Sequence, residues 1–494
     1  MSNRPETNKQ SCPVYKKCGG CQLQNLSYPE QLEFKQKKVE KLLKRFCTVE
    51  KIIGMKTPYH YRNKVQAAFY TDKKGKIISG VYQSGSHHVV GIDSCQTEDV
   101  IADKIIVAVR KLLPSFRMTT YNEDTGKGFL RHILVKRGFA TNQIMLVLVT
   151  GTPVFPSKNN FVKAILKQFP EITTIVQNIN PYRTNLVLGD NQKVLYGKGY
   201  IEDILCGCRF RISPKSFYQI NPVQTEVLYG KAIEFANLKG NETVLDTYCG
   251  IGTIGIIAAK NGAGNVIGAE LNGDAVRDAI VNARANNLKN IRFYKADAGE
   301  FMREATDEDE KPDVVFMDPP RAGSDRKFLD SLIKMSPKKV VYVSCNPETL
   351  ARDLAYLTQN SPYKAQKIQP VDMFPHTAHI ETVVLLSHKK PDGHINVKVE
   401  FGEGEGKVPL DNIAKRAEEY KPKERVTYKM IKEYIEAKYG FKVHTAYIAE
   451  VKRDLGLPMY DAPNAVEELK QPRKHPTAEK VEAIKDALKH FEEI

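Results

Sequence analysis

The sequence predicts an α/β protein whose second half folds as a doubly wound sheet. From about residue 240 onward, short runs rich in Val, Ile and Leu alternate with longer segments that place apolar residues at helical spacing. Such alternation is typical of a mostly parallel sheet with helices on both faces. Residues 62–205 instead show strand-like alternation between turn signals, which predicts a β-rich region ahead of the sheet.

The end of the chain predicts a third, mostly helical region. Residues 389–408 are rich in Gly and charged side chains and poor in apolar ones, which is typical of a boundary between domains. The expected organisation is therefore a first region at 1–210, a doubly wound domain at 211–390 and a C-terminal extension at 391–494.

The first clear element is an amphipathic helix that begins near Ser27. Ser27 and Glu30 have the spacing of a capping box. The following segment, which includes "KQKKVEKLLKRF", combines a lysine-rich face with an apolar stripe. The stripe consists of Leu32, Val39, Leu42, Leu43 and Phe46.

The excess of basic charge lies in the first four-fifths of the chain. Net charge is +16, but residues 391–494 carry 19 Lys and Arg against 20 Asp and Glu, which leaves 55 against 38 before them. A basic surface is typical of a protein that binds a nucleic-acid backbone. The lysines of the first helix also suit an ordinary solvated helix face, so this run alone does not show that the protein binds nucleic acid.

The sequence predicts a cytoplasmic protein. No apolar run approaches the roughly 18 residues of a membrane span, and "MSNRPETNKQ" lacks the features of a secretory signal. In that compartment the nine cysteines are expected to be buried, metal-bound or catalytic rather than paired in disulfides.

Three cysteines near the start have the spacing of a metal site. Cys12, Cys18 and Cys21 form C-x5-C-x2-C, and Cys95 in "GIDSCQTED" is the natural fourth ligand. Four thiolates can hold either a 4Fe-4S cluster or a zinc ion, and spacing alone does not choose between them. Cys47, Cys206 and Cys208 lack such a pattern and are expected to be structural.

A glycine loop follows the first strand of the predicted sheet. "DTYCGIGTIG" fits G-x-G-x-x-G, after a strand and opening a helix, which predicts a nucleotide-like cofactor close to the backbone. Glu270 ends the next strand, 24 residues after Asp246, where a carboxylate accepts hydrogen bonds from ribose hydroxyls. These features alone also fit an NAD enzyme.

The fourth strand separates the two interpretations. "DPPR", residues 318–321, places Asp318 and two prolines at a strand end over the crevice where ligands bind. Dehydrogenases have no evident need for this turn, whereas S-adenosylmethionine methyltransferases often carry one like it. The sequence therefore favours a methyltransferase.

A cysteine lies at the predicted start of a helix in "YVSCNPETLARDL". Asn346 is a suitable N-cap and Pro347 suits the first helical position, so Cys345 is expected at the positive end of the helix, where a thiolate is favoured. Cys249 in the glycine loop is the other candidate, but there a thiol would face the cofactor, so it is expected only to pack.

Five segments together resemble the RNA (uracil-5-)-methyltransferase family. They are "SFYQINPVQTEVLY", "VLDTYCGIGTIG", "DPPRAG", "SCNPETLARDL" and "DMFPHTAHIE", in this order. "CPVYKKCGGC" further resembles the iron-sulfur branch, the 23S rRNA (uracil-5-)-methyltransferases. The resemblance covers residues 12–388 and implies a class I S-adenosylmethionine-dependent methyltransferase domain preceded by an iron-sulfur and RNA-recognition region.

The resemblance also implies roles for individual residues. Cys345 matches the nucleophile of the family and Glu381 matches its proposed base, with His376 and His379 as rivals for the base. It favours a 4Fe-4S cluster on Cys12, Cys18, Cys21 and Cys95. The residues expected to contact S-adenosylmethionine are Gln219, Tyr248, Glu270 and Asp318, with Asp297 near its adenine.

Two features depart from the family pattern. Only eleven residues precede Cys12, where familiar members carry a small β-barrel RNA-binding domain, and the charge-balanced region after residue 390 has no counterpart in the common core.

The predicted function is methylation of carbon 5 of a specific uridine in 23S rRNA by a monomer with no membrane partner. Carbon 5 of uracil is too weakly nucleophilic to accept the methyl group unaided, and a thiolate that adds to carbon 6 overcomes this. The alternatives are a tRNA uridine-5 methyltransferase, which the cysteine cluster disfavours, and a non-catalytic RNA-binding ribosome assembly factor. Amino-group methylation is disfavoured because it needs no nucleophilic cysteine.

Overall fold

The computed structural model describes residues 12–83, 86–184, 186–307, 311–388, 428–455 and 476–491. The chain divides into two compact units, Met1–Gly393 and His394–Ile494. The predicted boundary segment 389–408 lies outside the described residues. Within the described part of the chain, no helix is long and apolar enough to cross a membrane.

The first half of the larger unit is built around a sheet of seven strands in the order β3-β2-β1-β4-β5-β6-β7. Its pairs are antiparallel except for β5 with β6. A separate hairpin pairs β8 with β9. The elements are α1 (Tyr15–Cys18), α2 (Tyr28–Leu43), β1 (Lys64–Thr71), β2 (Ile77–Tyr82), β3 (Val89–Gly91), α3 (Val100–Leu112), β4 (Leu130–Arg137), β5 (Ile144–Thr150), α4 (Lys158–Gln168), β6 (Ile172–Ile179), β7 (Asn191–Tyr196), β8 (Ile201–Leu205) and β9 (Cys208–Ile212).

The helix α2 begins with the predicted capping box. The backbone N–H of Ser27 donates to Glu30 Oε2 at 2.7 Å, and the reciprocal bond from the Glu30 backbone to the Ser27 side chain is also present. Lys35, the first lysine of the basic run, departs from the expected solvated face because it is buried and paired with Asp372. Burial lowers the pKa of Lys35, and the paired Asp372 opposes this shift.

The second half of the larger unit confirms the predicted doubly wound sheet. Its seven strands have the order β12-β11-β10-β13-β14-β16-β15, and all pairs are parallel except those of β16. The order changes direction after β10, which creates the crevice where such sheets bind ligands. The elements are α5 (Pro222–Ala236), β10 (Thr243–Thr247), α6 (Thr253–Lys260), β11 (Asn265–Glu270), α7 (Gly273–Ala285), β12 (Ile291–Lys295), α8 (Ala298–Asp307), β13 (Val314–Met317), α9 (Arg326–Met335), β14 (Lys339–Ser344), α10 (Pro347–Asn360), β15 (Tyr363–Val371) and β16 (Glu381–His388).

The two sheets share one hydrophobic core. Met145 and Val147 of the first sheet pack in one core with Leu228 of α5 and Val244 of β10. On the other face of the second sheet, Val39 of α2 joins a core that α8, α9 and α10 also line. Elements from the first half of the chain therefore contribute to the core on each face of the second sheet.

The smaller unit contains three described helices, α11 (Tyr428–Tyr439), α12 (Thr445–Asp454) and α13 (Ala478–His490). Tyr434 stacks on His490 with ring centroids 4.3 Å apart, and the Tyr434 hydroxyl donates to Asp486 at 3.0 Å. The buried side chains of this unit form their own core, which consists of Ile431, Ile435, Val443, Ile448, Val451, Ala483, Ile484, Ala487 and Leu488.

Candidate active site

A cavity of about 440 Å³ opens at the carboxyl ends of the parallel strands β10, β11, β13 and β14. Strand register explains how Glu381 reaches it. Because β16 runs antiparallel to β14 and Thr382 pairs with Ser344, the start of β16 lies beside the end of β14, and Glu381 is brought close to Cys345. Six residues predicted from the sequence line this cavity: Gln219, Tyr248, Glu270, Asp318, Cys345 and Glu381.

The glycine loop is held by two carboxylates. Gly250 N–H donates to Glu270 Oε2 at 3.0 Å, and Asn272 N–H donates to Glu270 Oε1 at 2.7 Å. Gly255 N–H donates to Asp246 Oδ2 at 2.7 Å, and a Cβ at Gly255 would lie only 3.0 Å from that oxygen. The loop therefore needs a glycine there, so that helix α6 can approach strand β10 closely.

Three carboxyl groups meet in the cavity, of which Asp246 and Glu381 are buried and Asp318 is half-buried. Burial raises the pKa of Asp246 to about 8, and Asp318 and Glu270 add to this rise. Burial raises the pKa of Asp318 to about 7. Burial raises the pKa of Glu381 well above its usual range; Asp318 adds to the rise and Arg321 opposes it. Carboxyl groups in such a field ionise readily only beside a cation, so the cavity suits a positively charged ligand.

Asp246 was not predicted from the sequence as a site residue, although it lines the cavity and is one of these three carboxyl groups. A signal was present. Asp246 occupies the end of β10 as Asp318 follows the end of β13, and parallel neighbours end at the same edge of a sheet. Arg321 and Phe374 also line the cavity without having been predicted.

The helix start after Cys345 is as predicted, but the expectation that the thiolate is favoured there is wrong. Asn346 is the N-cap of α10, accepting from Glu348 N–H at 3.1 Å, and Pro347 is the first helical residue. Burial nevertheless raises the pKa of Cys345 to about 11; Glu381 and Asp318 add to the rise, and Arg321 opposes it. The carboxylates and the loss of water outweigh the helix end, which favours a thiolate by a smaller amount.

Cys249 also lines the cavity, but it is almost completely buried. Burial raises the pKa of Cys249 well above its usual range, and Asp246 and Glu270 add to that rise. The arrangement fits the predicted packing role. Of the other cysteines, Cys208 lies in the hydrophobic core, and the Cys47 thiol donates to Gln366 O at 3.2 Å.

Asp297 is absent from the lining of this cavity, as far as the described residues show. Its Oδ1 accepts from the N–H groups of Gly299 and Glu300 at 3.0 and 3.1 Å, in the first turn of α8. Burial raises the pKa of Tyr248 to about 12, and Asp297 is one of the charges that add to this rise. Its expected contact with adenine therefore stays a prediction.

The two histidine rivals of Glu381 are also outside the described lining. Both ring nitrogens of His376 are engaged, Nδ1 with Gln31 Nε2 at 3.1 Å and Nε2 with Pro58 O at 2.9 Å. Because the carbonyl must accept from Nε2, Nδ1 accepts from the amide and has no free lone pair. Burial lowers the pKa of His379, and Arg321 lowers it further. Of the three, Glu381 is the best placed to take a proton in the cavity.

The four predicted cluster ligands influence one another electrostatically. Burial raises the pKa of Cys21 to about 11; Arg62 opposes this, while Cys95, Cys18 and Cys12 add to it. Over the residues that the structure describes, no group of three or more His, Cys, Asp or Glu is arranged to hold a metal ion. The cluster therefore stays a prediction.

Comparison with known proteins agrees with the chemistry of this cavity. Residues 183–389 match the family described as tRNA (Uracil-5-)-methyltransferase. An uncharacterized RNA methyltransferase of Bacillus cereus is 44% identical over 388 residues, which cover 78% of this chain and 84% of the relative. One of Listeria monocytogenes is 46% identical over 379 residues, covering 76% and 83%.

Among solved structures, the chain is similar to the Pyrococcus abyssi tRNA (uracil-54, C5)-methyltransferase in complex with S-adenosyl-L-homocysteine. The sequences are 32% identical, the TM-score is 0.63, and the match covers 74% of this chain and 85% of the other. From the cavity, the fold and these relatives together, the chain belongs to the RNA (uracil-5-)-methyltransferase family and is an S-adenosylmethionine-dependent enzyme.

Proposed function

We propose that this protein methylates carbon 5 of a specific uridine in 23S rRNA through a covalent adduct between Cys345 and uracil. The observation that carries the proposal is the pairing of β14 with β16, which brings Cys345 and Glu381 into one cavity with Asp318. The cysteine-rich segment favours 23S rRNA as the substrate. Similarity to the tRNA enzyme of Pyrococcus abyssi favours tRNA as the second candidate.

The cavity fits S-adenosylmethionine, which supplies the methyl group and a positive charge when bound. Glu270 would accept hydrogen bonds from the ribose hydroxyls, and Gln219, Tyr248 and Asp318 would contact the remainder of the cofactor. The proposal retains Asp297 as a residue near the adenine. The carboxyl groups of Asp246, Asp318 and Glu381 suit the sulfonium charge.

The reaction needs two roles from the side chains. The target uridine must be unpaired or extruded, because carbon 6 is inaccessible within a stack. The Cys345 thiol, whose pKa is raised by burial, first gives its proton to water and then adds to carbon 6 as the thiolate. The electron pair displaced from the double bond between carbons 5 and 6 makes carbon 5 nucleophilic, and carbon 5 takes the methyl group as S-adenosylhomocysteine leaves. Glu381 then takes the proton from carbon 5, the electrons of that C–H bond restore the ring double bond, and the C–S bond breaks to release the thiolate.

The carboxyl groups of the cavity predict that cofactor binding releases protons. At pH 7, much of Asp246 and about half of Asp318 are protonated in the free protein, because their pKa values are about 8 and about 7. A nearby cation lowers both pKa values, so S-adenosylmethionine should release more protons than S-adenosylhomocysteine, by roughly one per site. Calorimetry in two buffers of different ionisation enthalpy measures the difference.

The same comparison at pH 9 is the control. Asp246 and Asp318 are then mainly ionised before binding, so any difference in proton release that remains comes from other groups, such as Glu381. Equal release at pH 7 would show that these carboxyl groups do not face the sulfonium.

The four amino-terminal cysteines are proposed to hold a 4Fe-4S cluster, with zinc as the alternative. Methyl transfer moves no net electrons, so the proposed role of the cluster is structural. Anaerobically purified protein should be brown and contain about four irons per chain, and Cys18→Ser should lose the colour. Iron and zinc analysis checks this. Stoichiometric zinc without iron would identify the site as a zinc site instead.

The substrate proposal is tested with 23S rRNA and tRNA from cells that lack the enzyme. Radiolabelled methyl from S-adenosylmethionine should enter 23S rRNA as 5-methyluridine, at one or a few positions that nucleoside mapping identifies. Methylation of tRNA alone would favour the second candidate. Cofactor binding without methylation of either RNA would contradict the catalytic proposal.

A further inference from the structure

The loop that precedes Glu381 is held mainly by the amino-terminal part of the chain. We call residues 372–380 the base loop, since β15 ends at Val371 and Glu381 begins β16. Phe374 of this loop lines the cavity together with Glu381. Any displacement of the base loop therefore moves the start of β16 and with it the carboxyl group of Glu381.

Gln31 of α2 makes the central contact. It is buried, with 1% of its surface exposed, and it makes two hydrogen bonds to one residue of the base loop. Its Oε1 accepts from His376 N–H at 2.8 Å, and its Nε2 lies 3.1 Å from His376 Nδ1. His376 has φ of 69°, a left-handed conformation that costs energy in a residue other than glycine. The bonds from Gln31 stabilise that conformation.

Other residues among the first 61 also make hydrogen bonds to the base loop, near the contact between Gln31 and His376. Lys35 Nζ donates to Phe374 O at 3.0 Å, and Tyr61 OH donates to Pro375 O at 3.0 Å. The cysteine-bearing segment also reaches the loop: Leu23 N–H donates to His376 O at 2.9 Å. Ala378 N–H donates to Gln22 Oε1 at 3.2 Å, one residue beyond Cys21.

We propose that Gln31 is a positioning residue for proton abstraction, which holds the base loop through His376 so that Glu381 faces carbon 5 of the methylated uracil. The inference rests on the proposed covalent mechanism. The cysteine-bearing segment contributes to the same positioning, because Leu23 and Gln22 also make hydrogen bonds to the base loop. The glycine loop follows β10 and Cys345 follows β14, whereas Gln31 bonds to the base loop, so we expect the loss of Gln31 to affect proton abstraction more than methyl transfer.

The test compares two glutamines of α2. Gln31→Met keeps the length of the side chain and removes its hydrogen bonds to the base loop. Gln36→Met makes the same change five residues later, where the amide contacts Glu50 O and Ile52 N–H instead. Gln31→Met should lower kcat about 10- to 100-fold, since small misplacements of a catalytic group have effects of that size. Gln36→Met should resemble wild type.

The distinguishing readout is the fate of the covalent intermediate. With methyl-labelled S-adenosylmethionine and 23S rRNA, Gln31→Met should accumulate a methylated RNA–protein adduct that survives denaturing electrophoresis. Its affinity for S-adenosylmethionine should stay within about twofold of wild type, as should its rate of trapping by 23S rRNA that contains 5-fluorouridine. Loss of kcat without adduct, or turnover equal to Gln36→Met, would overturn the inference.

A failure of the proposed function is recognised separately. If wild type forms no adduct with the 5-fluorouridine RNA, the covalent mechanism fails; if it does and the two variants behave alike, only the role of Gln31 fails. Should Gln31→Met not fold, Gln31→Glu keeps the acceptor for His376 N–H and loses the amide donor to His376 Nδ1. Adduct accumulation by that variant supports the inference, and wild-type turnover with no adduct contradicts it.

Discussion

Replacement of Cys345 by alanine should abolish methyl transfer while leaving both substrates able to bind. Without the thiol, carbon 6 receives no nucleophile and carbon 5 cannot attack the methyl group, so the rate should fall on the order of 10⁴-fold or more. Because its pKa is raised, the Cys345 thiol is neutral in the free protein, so its removal takes away no charge that cofactor binding needs. Single-turnover transfer of labelled methyl to RNA, together with titration of S-adenosylmethionine, measures the two properties.

Cys249→Ala is the matched control, since it removes the other cysteine of the same cavity. Its thiol is buried in the glycine loop, so we expect activity within a few-fold of wild type and adduct formation with 5-fluorouridine RNA. The assignment of Cys345 as the nucleophile would be contradicted by the reverse pattern, in which Cys345→Ala stays active and Cys249→Ala forms no adduct.

Replacement of Glu381 by glutamine should stop the reaction one step later. Glutamine keeps the size of the side chain but cannot take the proton from carbon 5, so one methyl group should be transferred and the thiolate then retained. Turnover should fall about 10²- to 10⁴-fold, the usual effect of a lost general base. The stalled species is a methylated adduct, which denaturing electrophoresis and the label detect together.

The pH dependence provides an independent check on Glu381. Its pKa is raised by burial and by Asp318, so at low pH the group is protonated and cannot act as a base. In wild type, release of RNA from the adduct should therefore accelerate as pH rises, whereas in Glu381→Gln the slow release should not follow that titration. Normal turnover of Glu381→Gln would leave the mechanism intact and make His379 the next candidate, because the ring of His376 is already fully engaged.

The sequence alone determined the features that depend on near neighbours. Buried strands that alternate with helices produced the doubly wound sheet, and the glycine loop and the "DPPR" turn fell at the ends of β10 and β13 as expected. The capping box of α2 and the start of α10 at Pro347 also followed from a few adjacent residues. Helix ends and strand periodicity are decided over three to ten residues, so these patterns are visible in one dimension.

The roles of individual residues were harder to predict, because a sequence motif does not show where its residues lie in the folded protein. The motif around Cys345 identified the candidate nucleophile, but it did not predict its pKa. The helix end favours the thiolate, whereas Glu381, 36 residues later, and Asp318, from another strand, oppose it. Asp246 was not predicted as one of the cavity carboxyl groups, because its raised pKa arises from burial and from carboxyl groups on other strands.

Only the tertiary structure decided how distant segments meet around the cavity. The register that pairs Ser344 with Thr382 places Glu381 beside Cys345, and the folding of α2 onto the base loop pairs Lys35 with Asp372 and Gln31 with His376. Lys35 and Asp372 lie more than 300 residues apart in the sequence, and so do Gln31 and His376. Burial, electric field and hydrogen-bond partners depend on which surfaces pack together, and no local pattern of residues contains that information.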